Sequence, residues 1–576
     1  MIRRLLVVVG SCALLAVNTY AQIYFMVAPK PVPPVTVAGQ VSSRPAAPPA
    51  PDNTVLTPQL KGIVVVAAPD QVVKNGLSIE GIEIRNVPVP DAVGFRTLVA
   101  SYLGSGLTRG QLNQLISRIV IFYRQHDRPI VDVIVPEQDI TAGTIQLIVL
   151  EGYVGKITTT GNRWFSDQEI RNGIRLKPGD PIRASKLQDD LDWLNANPFR
   201  GTDAIYHPGD ELGATDLVLQ TQDRFPIRGY GGYEDSGTAI TGFGRYEAGL
   251  NWGDAFGLGQ QFNYQYMTSA DGDSLRAHSG SYIIPLPWRA TLTLFGSYTD
   301  TRGVVPPYVG INGKSYQMSA RYSVPLTTLR FGGLSYKESV AAGFDYKYND
   351  NALEFGGLPA GGTLYDVAQF AFSYNGALTD PHGQTTLDLE FYYSPGHWIG
   401  NNTDRAFWAA HTRATSNYSY GTVSLERLNR LPGQWSLILR GTLQLSNRNL
   451  VPSEQLGFGG YATIRGYDER EVDADEGVIL SAELHTPPLS IDRWFRHPDW
   501  KDQLQFIGFF DFGDAFNHTL LPGEQADTHL ASAGGGLRYT ISMYLSVRFD
   551  YGWQIDNAGL DNRHGSRAHL GVVLSY

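Results

Sequence analysis

The chain has 576 residues, with 46 Lys and Arg against 56 Asp and Glu, which gives a net charge of −10 at pH 7. It is rich in Gly (63), Tyr (31) and Phe (25), and only 18% of it is charged, below the roughly 25% of ordinary soluble domains. This composition argues against a disordered chain, and the absence of basic blocks argues against a nucleic-acid binder. After residue 21 no apolar run approaches the roughly 18 residues of a spanning helix, so a large β-rich protein remains, either soluble or a membrane barrel.

Residues 1–21 have the pattern of a secretion signal. Arg3 and Arg4 precede an apolar core, and Ala21 is a small residue of the kind that signal cleavage requires. A short membrane anchor is one alternative, but the apolar core is too short to span a membrane. A lipoprotein signal ending at Cys12 is the other, but it would leave an even shorter apolar core. Because Cys12 is the one cysteine of the chain, cleavage after residue 21 leaves no disulfide and no thiolate metal site.

Residues 22–58 are dominated by Pro, Ala and Val. The prolines disfavour a long helix and favour extended polyproline geometry, so we predict an N-terminal arm or linker.

Residues 59–225 carry two copies of one predicted unit with the order βααββ. In the first copy, residues 59–152, strand-like runs at 63–67 and 79–84 precede two amphipathic helices, and strands at 130–135 and 144–150 follow. The second copy, residues 153–225, repeats this order, with Ser166 and Glu169 forming a capping box. We predict α+β domains, each with a three-stranded sheet that has an exposed edge.

From about residue 226 to 576 polar and apolar residues alternate. In Leu545–Ile555 every odd position is large and apolar, and every even position is polar or Gly. A soluble sandwich also alternates, but Arg, Asp and Glu on the polar face do not suit a dry core, whereas the aromatic-rich face suits lipid. About 16 segments of roughly ten residues fit, the tenth near 406–418, so we predict an all-β, 16-stranded antiparallel transmembrane barrel.

Chemical motifs are not evident in the sequence. No HExxH occurs, and the 12 His residues show no spacing typical of a triad. Asp473, Asp475 and Glu476 lack the later Glu of a calcium loop, so we expect a solvated acidic segment. We predict no catalytic residue, no cofactor and no metal site; a barrel lipase is the enzyme alternative.

A long loop, residues 447–476, is predicted between the eleventh and twelfth strands, and we call it the lumenal loop. Loops longer than about 12–15 residues are usually functional. It contains Arg465 beside Gly466, and the next two strands place Glu483 and Asp511 on the inward phase. The planar guanidinium of Arg can hold carboxylates through two bonds, so we predict an ion-pair lock in the lumen. A solvated Arg465 is the alternative.

These residues resemble the motifs of a known superfamily. Ile464-Arg465-Gly466-Tyr467 resembles the loop motif of outer-membrane transporters that carry POTRA (polypeptide-transport-associated) domains, and Phe509-x-Asp511-x-Gly513 resembles their matching strand motif. The two βααββ units resemble POTRA domains. Pro136–Gly143 and Leu150–Gly152 are similar to the first POTRA domain of two-partner secretion transporters, also called hemolysin secretion/activation proteins.

The resemblance implies a 16-stranded barrel in the outer membrane of a Gram-negative cell, with periplasmic POTRA domains. It implies export of one large β-helical partner protein, whose N-terminal secretion domain the POTRA domains capture unfolded by adding a strand to a sheet edge. Outer-membrane lipid and, during biogenesis, the barrel-assembly machinery are further implied partners; nucleic acid and cofactors are not. The proline-rich arm departs from the helix with which the family often plugs the pore. A barrel-assembly insertase of the same superfamily and a passive porin are the alternatives.

Overall fold

The computed structural model describes residues 52–305, 309–355, 358–491, 501–520, 527–556 and 565–576. The predicted signal and residues 22–51 of the predicted arm lie outside the described residues. The chain divides into two compact units, residues 31–224 and a unit containing residues 225–576, and each is described by itself.

The first domain packs two helices on a four-stranded sheet. Its elements are β1 (Val55–Thr57), β2 (Gly62–Val66), β3 (Gly81–Arg85), α1 (Ala92–Ala100), β4 (Leu107–Thr108), α2 (Arg109–Gln125), β5 (Val131–Ile134) and β6 (Thr144–Glu151). Asp91 caps α1, and Thr108 caps α2 in a capping box with Gln111. The core between helices and sheet includes Phe95 and Leu115, both fully buried.

The prediction of a three-stranded sheet is wrong for this domain. The sheet has the order β3-β2-β6-β5, with β2 parallel to both of its neighbours. All five residues of β2 are buried, since Ile63 and Val65 face the helices while Val64 and Val66 pack in a smaller cluster on the other face. A strand that is apolar on both faces belongs in the middle of a sheet.

The second domain has the predicted three strands. Its elements are β7 (Tyr153–Thr160), α3 (Asp167–Asn172), α4 (Ala184–Asn195), β8 (Arg200–Pro208) and β9 (Ala214–Asp223), and its sheet has the order β7-β9-β8. The Ser166 side chain accepts a hydrogen bond from the Glu169 amide and so caps α3. In the described residues β8 pairs with β9 alone, which leaves β8 as an edge strand nine residues long.

A group of buried charges joins the two domains. Glu151, at the end of β6, forms ion pairs with Arg128 of the first domain, at 2.5 Å, and with Arg183 at the start of α4. The Asp127 carboxylate accepts hydrogen bonds from the Ser185 amide at 2.7 Å and the Ser185 hydroxyl at 2.6 Å. The side chain of Glu151 is only 10% exposed, so both domains contribute cations to one buried carboxylate.

The second unit is built from strands that run back and forth. They are β10 (Ile227–Glu234), β11 (Arg245–Ala255), β12 (Gln260–Ser269), β13 (Leu275–Pro285), β14 (Thr291–Val305), β15 (Val309–Pro325), β16 (Leu329–Phe331), β17 (Leu334–Phe355), β18 (Leu358–Asp380), β19 (Gly383–Pro395), β20 (Asn417–Arg430), β21 (Ser436–Ser446), β22 (Leu456–Phe458), β23 (Val472–Ala474), β24 (Glu476–His485), β25 (Asp502–Phe516), β26 (Thr528–Ile541), β27 (Leu545–Asp556) and β28 (Ser566–Ser575).

Sixteen of these strands form a closed antiparallel barrel in the part of the chain that the structure describes, which confirms the predicted fold. The short β16 follows β15 along the chain, and β22 and β23 pair only with each other. The barrel closes where β10 pairs with β28, from Tyr230 opposite Ser575 to Glu234 opposite Gly571.

Side chains of the wall alternate between two environments. The outward positions Leu480, Phe510 and Trp553 are 47%, 49% and 57% exposed, whereas the inward Glu483 and Asp511 are 5% and 0% exposed. The apolar outer face and the polar lumen match the arrangement of a membrane barrel. Within the described residues no helix has both the length and the apolar character that a membrane span requires.

Two predictions about the strands are wrong. The tenth strand is not 406–418: Asp404–Ala410 form a helix, α5, whose first turn is capped by the Thr403 hydroxyl, and the strand begins only at Asn417. In addition, β17 and β18 have 22 and 23 residues, about twice the predicted length. About 10 residues cross a membrane, so these two strands extend well beyond it and need not follow its pattern.

Helix α5 packs against the inside of the barrel wall. Its Phe407 is 1% exposed and lies against Tyr365 of β18, with ring centroids 5.7 Å apart, and near Tyr418 of β20. Leu450 and Val451, at the start of the lumenal loop, complete this cluster, which we call the aromatic cluster.

Candidate functional site

The lumenal loop folds back into the barrel. It leaves β21, pairs with itself in the short hairpin of β22 and β23, and rejoins the wall at β24. Phe458, Ile464 and Tyr467 of the loop are fully buried, packed with Ala515 and Leu530 of the wall. The segment 459–471 therefore lies inside the lumen, held by apolar contacts on the side of β25 and β26.

Arg465 forms a pair of parallel hydrogen bonds with Asp511. Its Nε lies 2.7 Å from Oδ2 and its Nη2 lies 2.8 Å from Oδ1, while its backbone amide donates to Oδ2 at 3.1 Å. Its Nη1 lies 2.7 Å from Oε1 of Glu483. The side chain of Arg465 is only 4% exposed and that of Asp511 is fully buried, so the solvated alternative for Arg465 is wrong. We call Arg465, Glu483 and Asp511 the tip cluster.

Neighbouring side chains complete the tip cluster. The Phe509 ring lies under the guanidinium of Arg465, with Cζ 3.6 Å from the ring centroid. Arg440 also reaches Glu483, at 3.1 Å, and the Ser481 hydroxyl donates to Asp511 at 2.7 Å. Buried charges are stable only when they are paired and hydrogen-bonded, and these contacts meet that condition.

The carboxylates also keep Arg465 charged. Burial alone would lower the pKa of Arg465, but the hydrogen bonds and charge of Asp511, together with the charges of Glu483 and Asp550, raise that pKa above its ordinary value. Asp550 of β27 lies 3.9 Å from Arg465 and pairs with Arg538 at 2.9 Å.

Gly466 brings the loop backbone against the wall. Its φ of +93° is the left-handed region that favours glycine, and its amide donates to Nε2 of His569 at 3.3 Å. Its carbonyl accepts a hydrogen bond from Gln554 at 2.8 Å. Sequence analysis missed His569, Gln554 and the facing Gly552. The available signal was the polar phase of β27, on which both Gly552 and Gln554 lie and which faces the lumen.

The remaining motif residues fill the space around this contact. A side chain at Gly513 would overlap Ile464 and Phe458, so the wall is glycine where the loop packs. The Tyr467 hydroxyl bonds to the Ala531 backbone, accepting from its amide at 3.2 Å and donating to its carbonyl at 2.9 Å. The structure thus brings together all eight of the residues singled out from the sequence: Ile464, Arg465, Gly466, Tyr467, Glu483, Phe509, Asp511 and Gly513.

The prediction that the acidic segment is solvated is wrong for Asp473 and Asp475. Asp473 pairs with Arg470 at 2.7 Å and its side chain is 7% exposed. Asp475 is fully buried and accepts hydrogen bonds from the Leu450 amide at 2.8 Å and from Gln455 at 2.9 Å. These carboxylates hold the loop hairpin together, a role that short-range spacing does not reveal.

One group of potential metal ligands occurs among the described residues. Ligand atoms of Asp514, Asp527 and His529 lie within 4.8 Å of one another. His529 bridges the two carboxylates at 3.1 Å and 3.0 Å, and its side chain is 47% exposed. Asp527 and His529 are exposed, and exposed acidic groups commonly lie this close together on protein surfaces.

A closed barrel that follows two small α+β domains and holds an inward-folded loop by a buried Arg–carboxylate cluster defines a POTRA-barrel transporter of the outer membrane. The family model described as haemolysin secretion/activation protein ShlB/FhaC/HecB matches residues 213–539. A ShlB-type POTRA domain matches residues 77–152, and a POTRA model described as surface antigen variable number repeat matches 152–219. The chain belongs to the haemolysin secretion/activation protein family, the outer-membrane transporters of two-partner secretion.

Relatives of this chain are similar along most of their length. The outer membrane transporter CdiB of Dickeya dadantii is 23% identical over 477 residues, which cover 80% of this chain and 79% of the relative. The heme/hemopexin transporter protein HuxB of Haemophilus influenzae is 21% identical over 497 residues, with 83% of each chain covered.

Solved structures share the fold. CdiB from Escherichia coli superposes with a TM-score of 0.71 at 17% identity, covering 94% of each chain. CdiB from Acinetobacter baumannii gives a TM-score of 0.63 at 17% identity, covering 97% of this chain and 96% of that one.

Proposed function

We propose that this transporter captures an unfolded exported protein with its POTRA domains and passes it through the barrel, with the lumenal loop as the gate. The observation that carries the proposal is the buried tip cluster, which together with apolar contacts fixes the loop inside the lumen. Opening the loop breaks these contacts and leaves the strand ladder of the wall intact, so it costs much less than unfolding the barrel.

The edge strand β8 is the capture site that the geometry favours. The Thr202 amide bonds to Asn195 at 2.7 Å and the Ala204 amide to Asp203 at 2.8 Å, so even-numbered amides of β8 point away from β9. By the same alternation Tyr206 offers its amide and carbonyl outward. An extended segment of a partner can pair with this edge and add a strand to the sheet.

The partner is one exported protein, and its finer properties belong to the proposal. We infer a large β-helical protein with an N-terminal secretion domain, delivered unfolded because an extended segment is what an edge strand pairs with. Outer-membrane lipid contacts the apolar outer wall, and insertion into that membrane involves the barrel-assembly machinery. The alternative of a passive porin explains the barrel, but it explains neither the two POTRA domains nor the loop that buried charges hold in the lumen.

The test is the amount of partner secreted per membrane-inserted transporter. Tyr206→Pro removes the outward amide of β8 without removing a bond to β9, and we expect it to reduce export and binding of the partner's N-terminal domain. Tyr206→Ala loses the same side chain but keeps the amide, and it is the matched control. Deletion of residues 59–152 should abolish export while the barrel still inserts. Equal export by Tyr206→Pro and Tyr206→Ala would refute capture at β8.

A further inference from the structure

The lumenal loop has a second attachment to the wall, made by residues other than those of the tip cluster. Close to where the loop leaves β21, Glu454 accepts two hydrogen bonds from Lys347 of β17, at 2.8 Å and 3.1 Å. Gln369 of β18 donates to the same carboxylate at 3.0 Å, and Tyr420 of β20 donates at 2.9 Å. We call Glu454, Lys347, Gln369 and Tyr420 the root cluster.

The root cluster is buried as deeply as the tip cluster. The Glu454 side chain is fully buried and that of Lys347 is 7% exposed. The adjoining Leu450 and Val451 lie in the aromatic cluster with Tyr365 and Phe407. A buried ion pair and buried apolar side chains therefore hold the root against the wall together.

The two clusters lie on different parts of the wall. Lys347, Gln369 and Tyr420 are on the seventh, eighth and tenth of the sixteen barrel strands, whereas Glu483 and Asp511 are on the twelfth and thirteenth. Between root and tip, Gly459 and Gly460 have φ values of +102° and +101°. These conformations are open to glycine and strained for other residues, so the chain can change direction there.

We propose that Glu454 is the positioning residue on which the lumenal loop turns: its contact with Lys347 keeps the root on the wall while the segment 459–471 leaves the lumen. The inference rests on the proposed movement of the loop as a gate. The tip cluster and the other wall contacts of the segment 459–471 are released in this movement, the root cluster is not, and the two glycines absorb the rotation. Glu454 thereby returns the same loop to the same register after each export event.

Thiol labelling of the full-length transporter in membranes tests this directly, since Cys12 is the one native cysteine and can be replaced by Ser. Ser453→Cys reports the root, where Ser453 is 2% exposed, and Thr463→Cys reports the tip. In an Arg465→Ala background we expect labelling at position 463 to accelerate roughly tenfold or more, and labelling at 453 to stay at its original rate. In a Lys347→Met, Glu454→Gln background labelling at 453 should accelerate by a similar factor.

Two outcomes overturn the inference. Equal acceleration at both positions in Arg465→Ala would mean that the loop leaves the wall as a whole, and an unchanged rate at 453 in the double variant would mean that the root cluster holds nothing. Glu454→Gln alone keeps the shape of the side chain and serves if the double variant fails to insert. Labelling rates are measured without export, so they test the root assignment separately from the proposed function. If the labelling rates are as expected but export does not follow the movement of the loop, the root assignment holds and the proposal that the loop is the gate is wrong.

Discussion

Gly466 of the lumenal loop and Gly552 of β27 pack backbone to backbone. A Cβ added to Gly466 would lie 3.0 Å from the carbonyl carbon of Gly552, and one added to Gly552 would lie 2.7 Å from the amide nitrogen of Gly466. The contact leaves no room for a methyl group on either side. It lies directly beside Arg465, so it sets how deeply the guanidinium can reach its carboxylates.

Gly552→Ala should therefore displace the loop tip while the backbone of β27 keeps its ordinary strand conformation. Overpacking of this kind costs roughly 1–3 kcal/mol, and we expect reduced export with normal barrel insertion. Gly508→Ala is the control, because a Cβ at Gly508 meets nothing within 4 Å. The assay is secreted partner per inserted transporter, and equal values for the two variants would contradict the packing argument.

Arg465→Ala should free the loop without unfolding the barrel. It leaves Asp511 and Glu483 buried with fewer partners, at a cost of about 3–5 kcal/mol to the attachment of the loop. A freed loop samples many positions in the lumen, so we expect export to fall by roughly tenfold or more. Arg465→Lys should restore only part of it, because an ammonium group cannot form the paired bonds with Asp511.

The matched control for Arg465→Ala is Arg276→Ala, whose partner Asp273 lies on the exposed surface at 3.1 Å. Exposed pairs contribute little, so export should be unchanged. Asp511→Asn should lower export in the same direction as Arg465→Ala. Normal export from both Arg465→Ala and Asp511→Asn would refute the role of the tip cluster.

The attachment of the loop should weaken as the pH rises. Burial raises the pKa of Glu469 from 4.5 to about 7, although its carboxylate accepts a hydrogen bond from the Tyr461 amide at 2.8 Å. A raised carboxyl pKa gives stability that is full below the unfolded pKa and is lost as the pH rises through the folded pKa. The loss therefore falls between about pH 4.5 and about pH 7.

Single-channel conductance in planar bilayers measures this effect. We expect wild type to open more often near pH 8 than near pH 5, and Glu469→Gln to lose most of that difference. Glu137→Gln, at an exposed position of the first domain, should retain it. An unchanged pH dependence in Glu469→Gln would assign the effect to another group.

Glu151→Gln should loosen the joint between the two POTRA domains. Arg128 and Arg183 lose their shared anionic partner, and hydrogen bonds to charged groups contribute about 1.5–3 kcal/mol each. Distances between spin labels at Lys74→Cys and Lys177→Cys should then spread over a wider range than in the parent. Glu137→Gln is again the control, and an unchanged distribution in Glu151→Gln would show that other contacts fix the joint.

Local patterns were sufficient for the barrel because each strand carries its own evidence. The alternation in Leu545–Ile555 depends only on neighbouring residues, and lipid imposes it on every strand that crosses the membrane. The same reasoning failed at Asp404–Ala410, where the Thr403 cap favours a helix over the strand that the apolar residues suggest. It also failed for the length of β17 and β18, since strand residues beyond the lipid need not alternate.

The candidate site divides in the same way. Arg465, Glu483 and Asp511 could be paired in advance because strand phase shows which carboxylates point inward. Glu454 and Lys347 are 107 residues apart, and no short-range feature of either predicts their contact. Gly552 was not predicted for a related reason. A glycine at an inward position has no functional group, so its role is visible only once the packing of Gly466 against it is known.

The tip cluster and the aromatic cluster hold the lumenal loop with contacts of different thermodynamic character. Contacts among Tyr365, Phe407, Tyr418 and Leu450 weaken on cooling and strengthen in sulfate, as apolar contacts do. The Arg465 contacts are electrostatic and respond instead to the charge of the groups around them. Cooling or added sulfate therefore acts unequally on the two attachments of the loop, and a change of charge can weaken the tip while the apolar packing of the aromatic cluster stays in place.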